Sequence, residues 1–151
     1  MSIREANEAW EALLTAHSVI MRRFADEPVW RDHGVSMREY DVLYTLAKCG
    51  APARMGELQS GVLLSQPALS RLVDRLESRG LVARISDQAD GRAVRVALTP
   101  TGQELQQAVG RSHARSVERE MRPLASDEQR ELQRLITKLL TPTDPSNAHK
   151  E

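Results

Sequence analysis

The chain has 151 residues, 40% of them hydrophobic and 28% charged, with 21 basic residues against 21 acidic ones. That length suits one domain, or one domain with a built-on oligomerisation element, and zero net charge excludes a uniformly basic surface while leaving room for local patches. Aromatic residues make up only 3%, which excludes the ring-rich strands of a β-sandwich and favours a core of packed helices built from Leu, Val, Ile, Ala and Met.

Taken in chain order, the first element is a helix over about 2–25. Ala6, Ala9, Trp10, Leu13, Leu14, Ile20, Met21 and Phe24 recur at helical spacing behind a Ser2-x-x-Glu5 capping box. Pro28 ends it, and Asp32-His33-Gly34 reads as a turn. A second helix opens with another capping box, Ser36-x-x-Glu39, carries Tyr40, Leu43, Tyr44, Leu46 and Ala47, and stops at Gly50-Ala51-Pro52. A short helix over Met55–Gly61 follows.

Ser65 then caps a helix whose first turn tolerates Pro67. Leu69, Leu72, Val73 and Leu76 form an apolar stripe, and Gln66, Ser70, Arg71, Asp74, Arg75 and Ser78 fall opposite it. Gly80 occupies the position after the helix where a left-handed residue belongs. The period next changes to two. Residues 81–85 and 93–98 read as strands around a polar loop containing Asp90-Gly91, a strong turn signal.

Thr99-Pro100 opens a long helix reaching about Arg122. Past Pro123, Ser126-x-x-Gln129 has the form of a third capping box, before a helix carrying Leu132, Leu135, Ile136, Leu139 and Leu140. The Pro-, Thr- and Ser-bearing tail over 142–151 reads as a flexible end. The fold class expected is mainly α with a small β-hairpin wing (α+β). It divides into an N-terminal helix and turn (1–34), a central lobe holding the two short helices and the hairpin (35–100) and C-terminal helices (101–141).

Two short helices joined by a tight turn, the second amphipathic and arginine-bearing, form a helix-turn-helix, and the hairpin after it makes the motif winged. A major groove admits one helix. Arg71 and Arg75, four residues apart, share a face of that helix, and a guanidinium pairs bidentately with guanine or phosphate. Ser65 and Gln66 lie at the positive end of the helix dipole, where a phosphate is favoured. Arg92 stands at the wing tip, within reach of an adjacent minor groove. Asp90 is expected to buttress a neighbouring arginine in the wing or recognition helix. Between Ser65 and Arg95 there are six arginines against four acids, so the positive excess lies mid-chain.

The run Ser65-Gln66-Pro67-Ala68-Leu69-Ser70-Arg71-Leu72-Val73-Asp74-Arg75-Leu76, with Asp90-Gly91-Arg92 and Leu98-Thr99-Pro100-Thr101-Gly102 at their spacing, resembles the multiple-antibiotic-resistance-regulator (MarR) family. The likeness is continuous over about 36–102. It implies a homodimer joined by the first helix and the last two, and a pseudo-palindromic double-stranded DNA operator. It also implies repression relieved by a small aromatic or phenolic ligand. The family's base-reading positions fall at Gln66, Pro67, Ala68, Ser70 and Arg71, with Arg92 at the wing tip. Pro67 and Ala68 have no side-chain donors, so any reading there is by thymine methyl contact or backbone.

All five aromatic residues lie within the first 44, either as core filling or as a ligand pocket. The resemblance to urate-responsive members of the family points to Trp10 and Asp41 as pocket residues, with His17 and Tyr44 beside them. Cys49, the single cysteine, excludes a disulfide framework and fits a reducing cytoplasm. A redox-sensing role for it stays open, although the end of a helix disfavours a thiolate. A winged helix used for protein contacts also stays open. The four histidines lack metal-ligand spacing, no cofactor is expected, and no Gly-rich phosphate loop, His-Glu-x-x-His or Gly-x-Ser-x-Gly motif points to an enzyme. Charges at Arg4, Glu5, Glu8 and Glu11 argue against a signal peptide, and no apolar run nears the ~18 residues of a membrane span. The expectation is a soluble cytoplasmic protein.

Overall fold

The computed structural model describes residues 2–62 and 64–141, so the tail expected over 142–151 lies outside the described residues. The elements run α1 (Ile3–Ala25), α2 (Pro28–Asp32), α3 (Met37–Cys49), β1 (Ala53–Arg54), α4 (Met55–Gly61), α5 (Gln66–Ser78), β2 (Val82–Ser86), β3 (Val94–Leu98), α6 (Pro100–Met121) and α7 (Ser126–Leu140). The chain forms two compact units, one ending at Ala114 and the other beginning at Arg115.

Two elements were not legible in the periodicity. Pro28 does not simply end α1; it is the first residue of the short helix α2. A proline there loses no hydrogen bond, because the first N–H of a helix has no partner within it. Gly34, at φ 64°, lets that helix close: Gly34 N–H donates to Arg31 O and Val35 N–H to Trp30 O, the paired bonds of a Schellman turn. The second is β1, two residues that pair antiparallel with β3 (Ala53 with Val96, Arg54 with Arg95) and make the hairpin a three-stranded sheet of order β1-β3-β2. The third expected capping box also differs. Ala125, not Ser126, is the cap, Glu128 accepts the Ala125 N–H at 2.7 Å, and the Gln129 amide donates back to the Met121 and Leu124 carbonyls.

The capping boxes at Ser2 and Ser36 form as the sequence indicates. The larger core cluster of the first unit encloses Leu43, Leu58, Leu69, Leu76 and Val96 fully. A second cluster gathers Val29, Trp30, Val35, Tyr40 and Val109. The apolar stripe of α5 is therefore spent on the core, and its opposite face is left to solvent.

The junction of α5, β2 and α6 is tied through backbone. Gly80, at φ 69°, donates to Glu77 O while Leu81 N–H donates to Leu76 O, a second Schellman turn. Leu81 O then accepts the Thr99 N–H at 3.1 Å. The Thr99 hydroxyl donates to Gly80 O at 2.6 Å and accepts the Gly102 N–H at 3.0 Å, capping α6. Gly102 lies so close that a Cβ there would meet Leu81 O at 1.9 Å. Here is the physical content of the Leu-Thr-x-x-Gly spacing.

Gly102→Ala must push two backbone segments apart, so it is expected to cost about 1–3 kcal/mol in chemical unfolding, the usual scale of overpacking. Gly91→Ala, whose Cβ would meet nothing, should stay within roughly 0.5 kcal/mol of the parent protein.

Candidate nucleic-acid interface

The outward face of α5 follows from its inward one. With Leu69, Leu72, Val73 and Leu76 buried, Gln66, Pro67, Arg71, Asp74, Arg75 and Ser78 are exposed, while Ala68 and Ser70 are half-buried at its edges. Ser65 caps the helix, its hydroxyl accepting the Ala68 N–H. The Arg71 guanidinium has no partner among the described residues. Arg75 lies 3.8 Å from Glu39 of α3, a loose pairing that leaves most of its side chain exposed. Asp74, on the same exposed face, is neutralised by Arg84 of β2. The same guanidinium binds Glu77, whose carboxyl is held low first by the Arg84 backbone N–H and then by its side chain.

At the wing, Asp90 makes its hydrogen bonds to backbone amides. Its carboxylate accepts the Arg92 backbone N–H at 3.2 Å, and its carbonyl accepts Ala93 N–H at 2.9 Å. It shapes the turn that presents Arg92, and among the described residues no arginine side chain is hydrogen-bonded to it, although its charge acts on Arg54. Arg92 itself is exposed and its guanidinium makes no bond among the described residues.

The carboxylate that holds arginines is Asp87. In the three-stranded register Arg54 and Arg95 stand directly opposite each other, an arrangement that repels unless an anion sits between. Asp87 Oδ2 is that anion: it accepts Arg54 Nη2 at 2.7 Å and Arg95 Nε at 2.9 Å, and Oδ1 accepts the Ala89 N–H at 2.9 Å. Its side chain is only 5% exposed. The Ala89 amide first, then Arg54 and Arg95, hold its carboxyl far below the usual carboxylate range. Arg95 also donates to Pro52 O, fastening the hairpin to the turn after α3. Nothing in the sequence marked Asp87, because Arg54 becomes its partner only through β1.

The residues expected to line a ligand pocket are divided. Trp10, 58% exposed, and His17 stand on the solvent face of α1, and Trp10 makes no ring contact among the described residues. Tyr44 stacks on Tyr40 with ring centroids 5.9 Å apart. On the same helix Asp41 has its carboxyl pushed up by partial desolvation, with His113 pulling it down. His113, not singled out by sequence, is the hub. Its ring lies 4.8 Å from Phe24, 5.3 Å from Trp30 and 5.9 Å from Tyr40, and its Nδ1 is 3.5 Å from a Glu27 carboxylate oxygen. Cys49 is exposed at the end of α3. Among the described residues no group of three acids, histidines or cysteines is placed to hold a metal, and no helix is long and apolar enough to cross a membrane.

Residues 33–93 match the family model described as MarR family. The chain is 32% identical over 108 residues to the uncharacterized HTH-type transcriptional regulator YkoM of Bacillus subtilis, covering 72% of this chain and 70% of that protein. It is 29% identical over 125 residues to the HTH-type transcriptional regulator PecS of Dickeya dadantii, covering 82% and 75% respectively. In fold it is similar to a mutant MarR from E. coli complexed with operator DNA, at TM-score 0.76 and 22% identity over 93% of this chain and 100% of that one. It is also similar to NadR in complex with 4-hydroxyphenylacetate, at TM-score 0.74 and 23% identity over 87% and 92%.

The Asp87 strut generates a prediction with a definite sign. A carboxyl whose folded-state pKa is depressed stabilises the fold above its unfolded value, near ~3.9, and loses that contribution as pH falls through the folded value. Asp87→Asn should therefore loosen the wing at neutral pH, with exchange of the Ala89 amide faster by on the order of tenfold, the scale of a lost bond to a charged group. The difference from the parent protein should shrink in strong acid. Equal protection of Ala89 in both proteins at pH 7 would exclude Asp87 as the strut.

Proposed function

Because the chain belongs to the MarR family of winged helix-turn-helix, DNA-binding transcriptional regulators, we propose that it is a homodimeric repressor that binds a pseudo-palindromic operator and leaves it when a small aromatic or phenolic ligand binds. The observation that carries the DNA-binding reading is the arrangement of charge on one lobe. Arg71 and Arg75 are exposed on a helix whose other face is entirely core, and Arg92 is exposed on a turn built to present it. In this reading α5 enters the major groove with Gln66, Pro67, Ala68, Ser70 and Arg71 toward the bases, and Arg92 reaches the neighbouring minor groove.

The homodimer is supported by what each terminal element leaves uncovered. On α1 these are Ile3, Trp10, Leu13 and Leu14; on α7 they are Leu132, Leu135, Leu139 and Leu140. Helices with leucine stripes facing water bury them against another copy. We assign 1–34 and 101–141 to dimerisation and 35–100 to DNA. Two recognition helices held about 34 Å apart match successive major grooves. A ligand that binds better to a dimer with another spacing releases the DNA, and one that binds both forms equally shifts nothing. The ring cluster around Tyr40, Tyr44 and His113, with Asp41 beside it, supports an aromatic ligand, and Trp10 and His17, exposed on α1, are assigned to that ligand on the family resemblance alone. The 4-hydroxyphenylacetate bound by NadR is a ligand of that class.

Fluorescence anisotropy on the DNA upstream of the protein's own coding sequence tests the assignment. Binding should weaken linearly in log–log salt, with a slope of about −0.9 for each phosphate neutralised, and Arg92→Ala should weaken it further. A slope near zero would point instead to a winged helix that contacts protein. For the dimer, Leu135→Lys enters the interface twice and should weaken association by about 3–6 kcal/mol, from about 1.5–3 for each buried leucine. Light scattering should then report monomers, and operator binding should fall in parallel.

A further inference from the structure

A cleft of about 210 Å³ lies between the recognition helix and the start of α3, and Ser36, Arg38, Ala68, Arg71, Leu72 and Arg75 line most of it. Three arginines from two helices line it: Arg38 from the first turn of α3, Arg71 and Arg75 from α5. The acid within reach is Glu39, which is already committed. One of its oxygens accepts the Ser36 backbone N–H at 2.8 Å and lies 3.5 Å from Arg79, and the other lies 3.8 Å from Arg75. Asp74 is held by Arg84 at the wing side of α5. Arg38, like Arg71, has no partner among the described residues. With three arginines against the one shared carboxylate of Glu39, the cleft carries an excess of positive charge beside Leu72 and Ala68.

We infer that this cleft is a phosphodiester site: Arg38, with Arg71 at the rim and Arg75 behind, grips a backbone phosphate of the DNA on which α5 is seated. The assignment rests on the DNA-binding reading and adds to it a residue, Arg38, that belongs to neither the recognition helix nor the wing. Planar guanidinium groups from two directions suit a tetrahedral anion. Four of the lining residues, Ala68, Arg71, Leu72 and Arg75, belong to α5, so a phosphate there fixes how deeply and at what angle the helix lies in the groove. Such a contact positions the protein and carries no sequence information. Its removal should weaken all DNA alike.

The test uses the full-length protein, anisotropy, and two duplexes: the DNA upstream of its own coding sequence and a scrambled duplex of equal length. Arg38→Ala should make the log–log salt slope shallower by about one for each protomer bound, with equal fractional loss on both duplexes. Arg38→Lys should restore most of the slope, because a lysine also neutralises a phosphate. Circular dichroism should be unchanged, since Arg38 makes no side-chain bond among the described residues. An Arg38→Ala protein with the parent slope and affinity overturns the assignment, and so does a loss confined to one duplex, which would make Arg38 a base reader. A parent protein with no salt-dependent binding to either duplex overturns the DNA-binding reading itself, and this site with it. Inorganic phosphate, titrated at ionic strength held constant with chloride, separates a DNA phosphate from a free one. Binding of phosphate alone that disappears in Arg38→Ala would replace the DNA backbone with a free phosphorylated ligand as the occupant.

Discussion

The recognition helix, the wing and the start of α6 are held together at one backbone carbonyl, that of Leu81. The Schellman turn at Gly80 reverses the chain at the end of α5 and aims this carbonyl at Thr99, where the returning strand β3 ends. Thr99 closes the loop from the other side by binding Gly80 O and capping α6. The helix that would read DNA and the hairpin that would flank it thus share their fixed point, and Gly102 is the residue that lets α6 come close enough to complete it. Backbone bonds of this kind are insensitive to side-chain identity elsewhere, so the relative placement of helix and wing is set before any arginine is considered.

Electrostatics then works by subtraction. The chain is neutral overall, yet its acids in the DNA-binding lobe are largely turned toward arginines that serve structure. Asp87 neutralises Arg54 and Arg95, Asp74 and Glu77 neutralise Arg84, and Glu39 holds Arg79 and, loosely, Arg75. Among the described residues, Arg38, Arg71 and Arg92 remain outward without an acidic partner, and Arg75 is only loosely held. A neutral protein can in this way present a positive surface without the self-repulsion of a highly charged chain.

Much of this was legible in the sequence because the signals were local. Period and caps gave α1, α3, α5, α6 and the hairpin, and the spacing of Asp90, Arg92, Thr99 and Gly102 gave the family resemblance. What was not legible depended on distant partners. The strand β1 is two residues long, too short for any alternation to register, and without it Arg54 has no reason to face Asp87. Asp90 drew attention through its spacing, whereas the carboxylate that binds arginine lies three residues earlier and is identified only by the register of the sheet. The helix α2 was misread for a different reason: Pro28 is a stop signal and a start signal at once, and Gly34 at its other end was the clue that favoured the second. His113 joins a ring cluster drawn from residues 24 to 44, a meeting that no window along the chain contains.

The wing has a closed root and an open tip. Its root is gripped by a buried carboxylate and two guanidinium groups, while the loop from Gln88 to Arg92 is exposed and rests on little but its own turn. Such a tip is free to drift over evolutionary time. Substitutions or changes of length between Gln88 and Arg92 would alter what the loop touches without disturbing the register of the strands beneath it. Descendants of this chain would therefore vary most readily in this loop, with the strands beneath it kept as an unchanging mount.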